Sequence, residues 1–264
     1  MTTPAASVES APATPAKPAA LWEDLIDIFT SPAAVFTRRR DGRFWLAMLA
    51  FTLVGALTFV VARPSVQPML DRQVALAEAK IDANRQVPAE QRAAQKGGVR
   101  RFVESPWAMA FPVLILPISL FAGALTAWSV GKAFGSEASY GQALAVISIA
   151  GLPRVVLGLI TAGVTVALGR QIEFAHQLTL GPGTVLGDVG AVASGVLQRI
   201  DVGLFWQTVL LGLGLSYMGR VERRVGGPVV IGQVSRAKGL TIAAIVWAFA
   251  TLFTVWSAYN QSAA

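Results

Sequence analysis

Residues 44–62 read FWLAMLAFTLVGALTFVVA, a run without a charged side chain that Arg63 and Pro64 close. A bilayer core about 30 Å thick takes roughly 20 apolar residues in a helix, so this run is long enough to cross. Similar runs follow at residues 107–130, 143–168, 202–218 and 240–259. Pro112 and Pro117 lie inside the second and are expected to kink it, since proline removes a backbone donor and clashes one turn back. Composition agrees, with 54% hydrophobic and 14% charged residues among 264 and a mean hydropathy of +0.56. A soluble domain carries roughly a quarter charged residues, so lipid is the solvent for much of this chain. The expected fold class is therefore all-α: a polytopic membrane bundle with five transmembrane helices, leaving little chain for a separate soluble domain.

The flanks and connectors complete the organisation. Residues 1–20, with Pro4, Pro12, Pro15 and Pro18 among Ala, Ser and Thr, read as a disordered Ala/Pro tail without a signal peptide's basic start and apolar core. A short amphipathic helix follows, with Leu21, Trp22, Leu25, Ile26 and Phe29 on one face and Glu23, Asp24 and Asp27 on the other. That acidic face is expected to be repelled by anionic lipid, which favours packing or docking on protein over lying on headgroups. Ser31 and Pro32 read as N-cap and first position of a second short helix through Val35 and Phe36. The connector from Pro64 to Pro106 reads as a helical hairpin, with Leu70, Val74, Ala77 and Ile81 on one face, a second arm opened by Pro88 and a stop at Gly97 and Gly98. Between the third and fourth runs, Gly181, Pro182, Gly183, Gly187, Gly190 and Gly195 predict irregular chain, with a short helix over 189–198. Residues 21–259 thus form one membrane domain, and 260–264 a short tail.

The net charge of +7 and pI near 10.4 do not point to nucleic acid, because the basic residues cluster beside apolar runs. Arg38, Arg39, Arg40 and Arg43 precede the first run, and Arg220, Arg223, Arg224, Arg236 and Lys238 lie between the fourth and fifth. Lys and Arg divide almost evenly between the two sides, but these compact clusters abut span ends and favour a cytoplasmic N-terminus. With no cysteine, disulfides and thiolate metal sites are excluded, and one histidine, His176, cannot form a histidine pair for a metal. Phosphate-binding glycine loops are absent as well, so no cofactor is expected.

Few residues could carry chemistry. Arg154 is the one charge inside an apolar run, and placing it near midplane costs at least about 2.5 kcal/mol. It reads either as structural, snorkelling or bonding carbonyls freed by Pro153, or as part of a transport or ligand site with Asp201 as its partner. Gly123, Ala127, Gly131 and Gly135 recur every four residues and read as a helix-packing seam, or as a contact between copies of the chain. Gly212 and Ser216 repeat that spacing, and Trp206, Trp247, Trp256 and Tyr259 are interfacial anchors or core residues. An intramembrane serine protease would need a glycine-flanked nucleophile and a histidine on another helix. Ser194 precedes Gly195, but Val192 stands where that motif has glycine, and His176 lies in the same loop, so no enzyme is expected.

Three stretches carry a family resemblance: IFTSPAAVF at 28–36, GKAFGSEASYGQALAVISIAGLP at 131–153 and IDVGLFWQTVLLGLGL at 200–215. In them Pro32 and Phe36, then Gly135, Tyr140, Gln142, Ala143, Leu152 and Pro153, then Asp201, Trp206, Leu211 and Gly214 resemble the pattern of the Yip family. These are integral membrane proteins named for interacting with Ypt/Rab GTPases, and the bacterial branch is the nearer likeness. The resemblance covers Trp22 to Tyr259 and implies five spans, a cytoplasmic N-terminus and no enzyme activity. A Rab-partner role is not carried over, because the long acidic and aromatic cytoplasmic region of eukaryotic relatives is missing. If the chain is bacterial, its membrane is the cytoplasmic (inner) one. The expected function is a non-enzymatic membrane scaffold or adaptor, and the alternative is a small-solute or ion transporter or channel built on Pro153 and Arg154. The partners in play are the lipid bilayer, an unidentified membrane or cytoplasmic protein, and a second copy of the chain.

Overall fold

A computed structural model describes residues 21–224 and 227–263; the expected tail over 1–20 lies outside them. Two short helices, α1 (Leu21–Thr30) and α2 (Pro32–Arg38), lead into the long α3 (Trp45–Ala83). Then come α4 (Ala89–Glu104), α5 (Pro106–Ala133), α6 (Tyr140–Ala167), α7 (Ala191–Leu197), α8 (Val202–Tyr217) and α9 (Arg236–Ala263). Four helices, in α3, α5, α6 and α9, are long and apolar enough to cross a membrane. At 16 residues α8 is too short alone; α7 and α8 form a pair bent by 54° at residues 198–201, which makes a fifth crossing if the pair is one span. The fourth expected span is thus a bent pair of helices.

Burial follows from α6 standing at the centre, 61% buried over its apolar window against 17–22% for the other three. Every residue from Gln142 to Pro153 is buried, against α3, α5 and α8. The outer helices turn leucines outward instead; Leu46, Leu49, Leu53 and Leu57 recur at helical spacing along exposed α3. In lipid such surface carries no penalty. Ser139 starts α6 with a capping box, accepting from the Gln142 N–H while the Gln142 side chain accepts from the Ser139 N–H. The Gln142 Nε2 donates to the carbonyls of Arg40 (2.7 Å) and Gly219 (2.9 Å), tying the start of α6 to the chain before α3 and after α8.

Several expectations are corrected. The helix of the first span does not end at Pro64: α3 runs on through Pro64 and Pro68 for 39 residues. Its backbone defect is repaired by the segment after α6, since the Ile172 N–H donates to the Ser65 carbonyl (2.7 Å) and the Met69 N–H to the Ile172 carbonyl (3.1 Å). Nor do Gly97 and Gly98 stop the hairpin, because α4 continues to Glu104. The ion pairs Arg100–Glu78 and Lys96–Asp82 hold α4 against α3. A 39-residue helix is about 58 Å long, well beyond a bilayer core of about 30 Å, so α3 is longer than one crossing requires. The expected short tail over 260–264 is helical through Ala263. A β-hairpin, β1 (Arg220–Arg224) with antiparallel β2 (Gly227–Ile231), was not anticipated. It is fastened to the α5–α6 turn by Arg220–Glu137 (3.2 Å) and by the Glu137 N–H donating to the Gly232 carbonyl.

Candidate functional site

The break in the fourth crossing brings charges together inside the bundle. α3 and α6 run parallel, with Phe51 against Gly151 and Thr58 against Gly158, while α8 runs antiparallel to α6, so Gly203 meets Arg154. Arg154, half-way along α6, therefore lies level with the start of α8, where Arg199 and Asp201 sit in the bend. Asp201 is not the ion-pair partner expected of it. Its carboxylate caps α8 by accepting from the Leu204 N–H and clasps the preceding loop by accepting from the Leu180 N–H, both at 2.6 Å. Arg199 turns to α9, donating from Nε to Thr251 Oγ1 (3.1 Å) with its guanidinium 6.0 Å from the centre of the Trp247 ring.

Arg154 has no hydrogen bond or ion pair to any described residue and interacts with Asp201 and Arg199 only through space. Its side chain keeps exposed surface and lines a cavity of about 500 Å³ among α3, α5, α6 and the 172–203 segment. Arg63 lines the same cavity, also without a carboxylate partner among the described residues. By helix rise the two arginines stand about 13 Å apart along the bundle. A smaller groove of about 380 Å³, lined by Arg199, Asp201, Phe205 and Trp247, lies at the other face of the break.

The remaining sequence candidates are structural in position. Pro153 is buried within an unbroken α6 and does not open it. Pro32 is the first residue of α2, and wholly buried Phe36 fills the space beside Gly214 of α8. Trp206 is half-buried against the core. Gly123 packs on Ile147 of α6, Gly131 accepts the closing hydrogen bonds of α5, and Gly135 lies beyond that helix at φ 83°. Gln207 of α8 has its Oε1 buried without a hydrogen-bond partner among the described residues.

One pair that spacing argued against does meet: His176 Nδ1 is 2.9 Å from Ser194 Oγ. His176 is wholly buried, and its Nε2 faces the carbonyls of Gly187 (3.0 Å) and Leu186 (3.2 Å). That network assigns the proton to Nε2 and makes Nδ1 the acceptor from Ser194. Neither residue lines the cavity or the groove, so the pair is a clip between the loop and α7. Outside the spans, the Gly190 N–H and the Arg72 guanidinium hold the Asp188 carboxyl below its ordinary range. Among the described residues no cluster of His, Cys, Asp or Glu could hold a metal ion.

The N-terminal arm reverses the expected faces of α1. Asp24 is buried and paired with Arg38 and Arg39, and Asp27 with Arg38, while Trp22, Ile26 and Phe29 point outward. Burial works against the Arg38 charge, but hydrogen bonds to Asp24 and Asp27 outweigh it and leave the guanidinium pKa raised. With its acids neutralised from within, α1 is not repelled by an anionic surface.

Residues 26–257 match the family described as the Yip1 domain, from within α1 to within α9. The chain belongs to the Yip1 domain family. No curated protein and no solved structure is significantly similar to it. The Yip1 domain here is a multi-pass helical membrane bundle, and the match takes in the arm from residue 26 onward, the bent α7–α8 pair and the cavity.

Proposed function

We propose that this Yip1-domain protein works without catalysis, as a membrane scaffold or adaptor that recruits a protein partner through its N-terminal arm. The observation that carries the reading is the rigid outward presentation of Trp22, Ile26 and Phe29. Two arginines clamp α1 from beneath, so the apolar face is displayed without an ordering cost at the moment of binding. Aromatic anchors held in place are what interface hot spots are made of. The basic clusters at 38–43 and 220–238 favour a cytoplasmic arm, in the inner membrane of a bacterium as the family likeness suggests. The transporter alternative draws on Arg154, but the cavity stops where α6 is buried from Gln142 to Pro153, which supports binding over conduction.

Deleting residues 1–37 would remove Ile28, Val35 and Phe36 from the core and confound the result. The test is a photo-crosslinking residue at position 22 or 26 in native membranes, with and without Trp22→Ser, Ile26→Ser and Phe29→Ser at the other positions of the face. A single stoichiometric protein adduct that disappears with the serine substitutions is expected. Adducts to lipid alone would refute the adaptor reading.

A further inference from the structure

We propose that the cavity beside Arg154 binds an anionic amphiphile, with the headgroup charge on the Arg154 guanidinium and the alkyl chain along the apolar wall. This site is separate from the α1 face and does not depend on it. Arg154 is the primary observation. A guanidinium half-way along a spanning helix is costly to leave unpaired; this one lines the cavity, and the carboxylate beside it, Asp201, already accepts two backbone N–H groups instead of pairing with it. Arg154 and Arg63 against Asp201 leave one positive charge in excess along the cavity lining, which an anion would neutralise.

The wall decides what kind of anion. Phe51, Phe59, Leu116, Met69 and Ile172 line the cavity, and the hydroxyls of Thr58 and Thr161 donate to carbonyls of their own helices, Val54 and Leu157. The guanidinium is thus the principal strong donor at the inner end, too few donors for a free inorganic anion that must shed its whole hydration shell. An anionic group on an alkyl chain gains from both features, and about 500 Å³ lies within the range of small-molecule sites. Arg63 at the opposite end provides a second cationic contact for a ligand or for a headgroup at the rim. The blind inner end suits a resident ligand rather than one passing through.

The full chain in phosphatidylcholine nanodiscs can be titrated with spin-labelled stearate, its methyl ester and spin-labelled phosphatidylglycerol, reading the motionally restricted fraction. Restriction of the charged probes and not of the ester is expected. Affinity should fall about tenfold in Arg154→Gln, the loss of one charge-assisted contact. Gly158→Leu should give a similar loss with the arginine intact. A Cβ there meets only Thr58 Cγ2, at 3.8 Å, so the added side chain fills cavity instead of displacing backbone. Substitutions on the outer face of α1 should leave binding unchanged. Restriction of stearate alone identifies a free fatty acid as the ligand, and restriction of phosphatidylglycerol as well identifies bilayer lipid; both support the proposal. Equal binding of the ester, wild-type binding by both variants, or displacement by millimolar inorganic phosphate would overturn it.

Discussion

At position 24 a carboxylate with 1% of its side chain exposed faces two guanidiniums, Arg38 at 33% and Arg39 at 19%. Breaking a buried ion pair costs 3–5 kcal/mol, and the water that reaches both arginines reduces this, so Asp24→Asn should loosen the arm by about 2 kcal/mol. Since the chain has no cysteine, Ile28→Cys reports on it directly: wholly buried Ile28 lies on the inner side of α1. Maleimide should leave Cys-substituted position 28 unmodified in the parent and label it in the Asp24→Asn background. Labelling at equal rates would mean that the clamp does not hold α1. The sequence displays Asp24 and Arg38, but not that they meet, because periodicity assigns an apolar face without saying which way it turns. Arg154 was legible as a lone charge in an apolar run. Asp201 was legible as its neighbour, yet its commitment to the Leu180 and Leu204 amides depends on a loop whose path spacing does not fix.

Among the elements, crossings differ in how closely backbones approach. A Cβ on Gly212 of α8 would lie 2.7 Å from the Leu240 Cα and 3.0 Å from the Gly239 carbonyl oxygen of α9, so nothing there can yield without moving a helix. A Cβ on Gly123 would meet only the tip of Ile147, at 2.6 Å. Gly212→Val should therefore destabilise by about 3 kcal/mol, while Gly123→Ala should stay within about 1 kcal/mol of the parent, helped by alanine's helix propensity. Thermal unfolding in detergent compares them; equal losses would contradict this assignment of the tight crossing. Small-residue spacing flagged both glycines alike and could not rank them. The β-hairpin does leave a signal, Gly226-Gly227 between Val221 and the Val229, Val230, Ile231 run, but its strands are short and the first is mostly charged, so the signal is weak beside the long apolar runs. Proline likewise misled at Pro64, since the helix passes it, and the turn from Ser65 to Met69 around Pro68 is bonded by Ile172, a residue more than a hundred positions away.

For the whole molecule, hydropathy conveys the apolar segments but not that the fourth is a bent pair, because residues 202–218 are as apolar as an intact span. The bend at 198–201 places Arg199 and Asp201 level with Arg154, and the cavity exists because α8 starts only half-way up α6. If α7 and α8 together cross once, the two ends of the bundle lie on opposite sides of the membrane; if the pair only enters and returns, they lie on the same side. Single-cysteine accessibility in intact membrane vesicles decides between these, using Asp41→Cys, Glu137→Cys and Gln233→Cys against Asp188→Cys and Asn260→Cys in the cysteine-free chain. Labelling of the first three from one face and of the last two from the other is the predicted result, and labelling of positions 41 and 260 from the same face would contradict it.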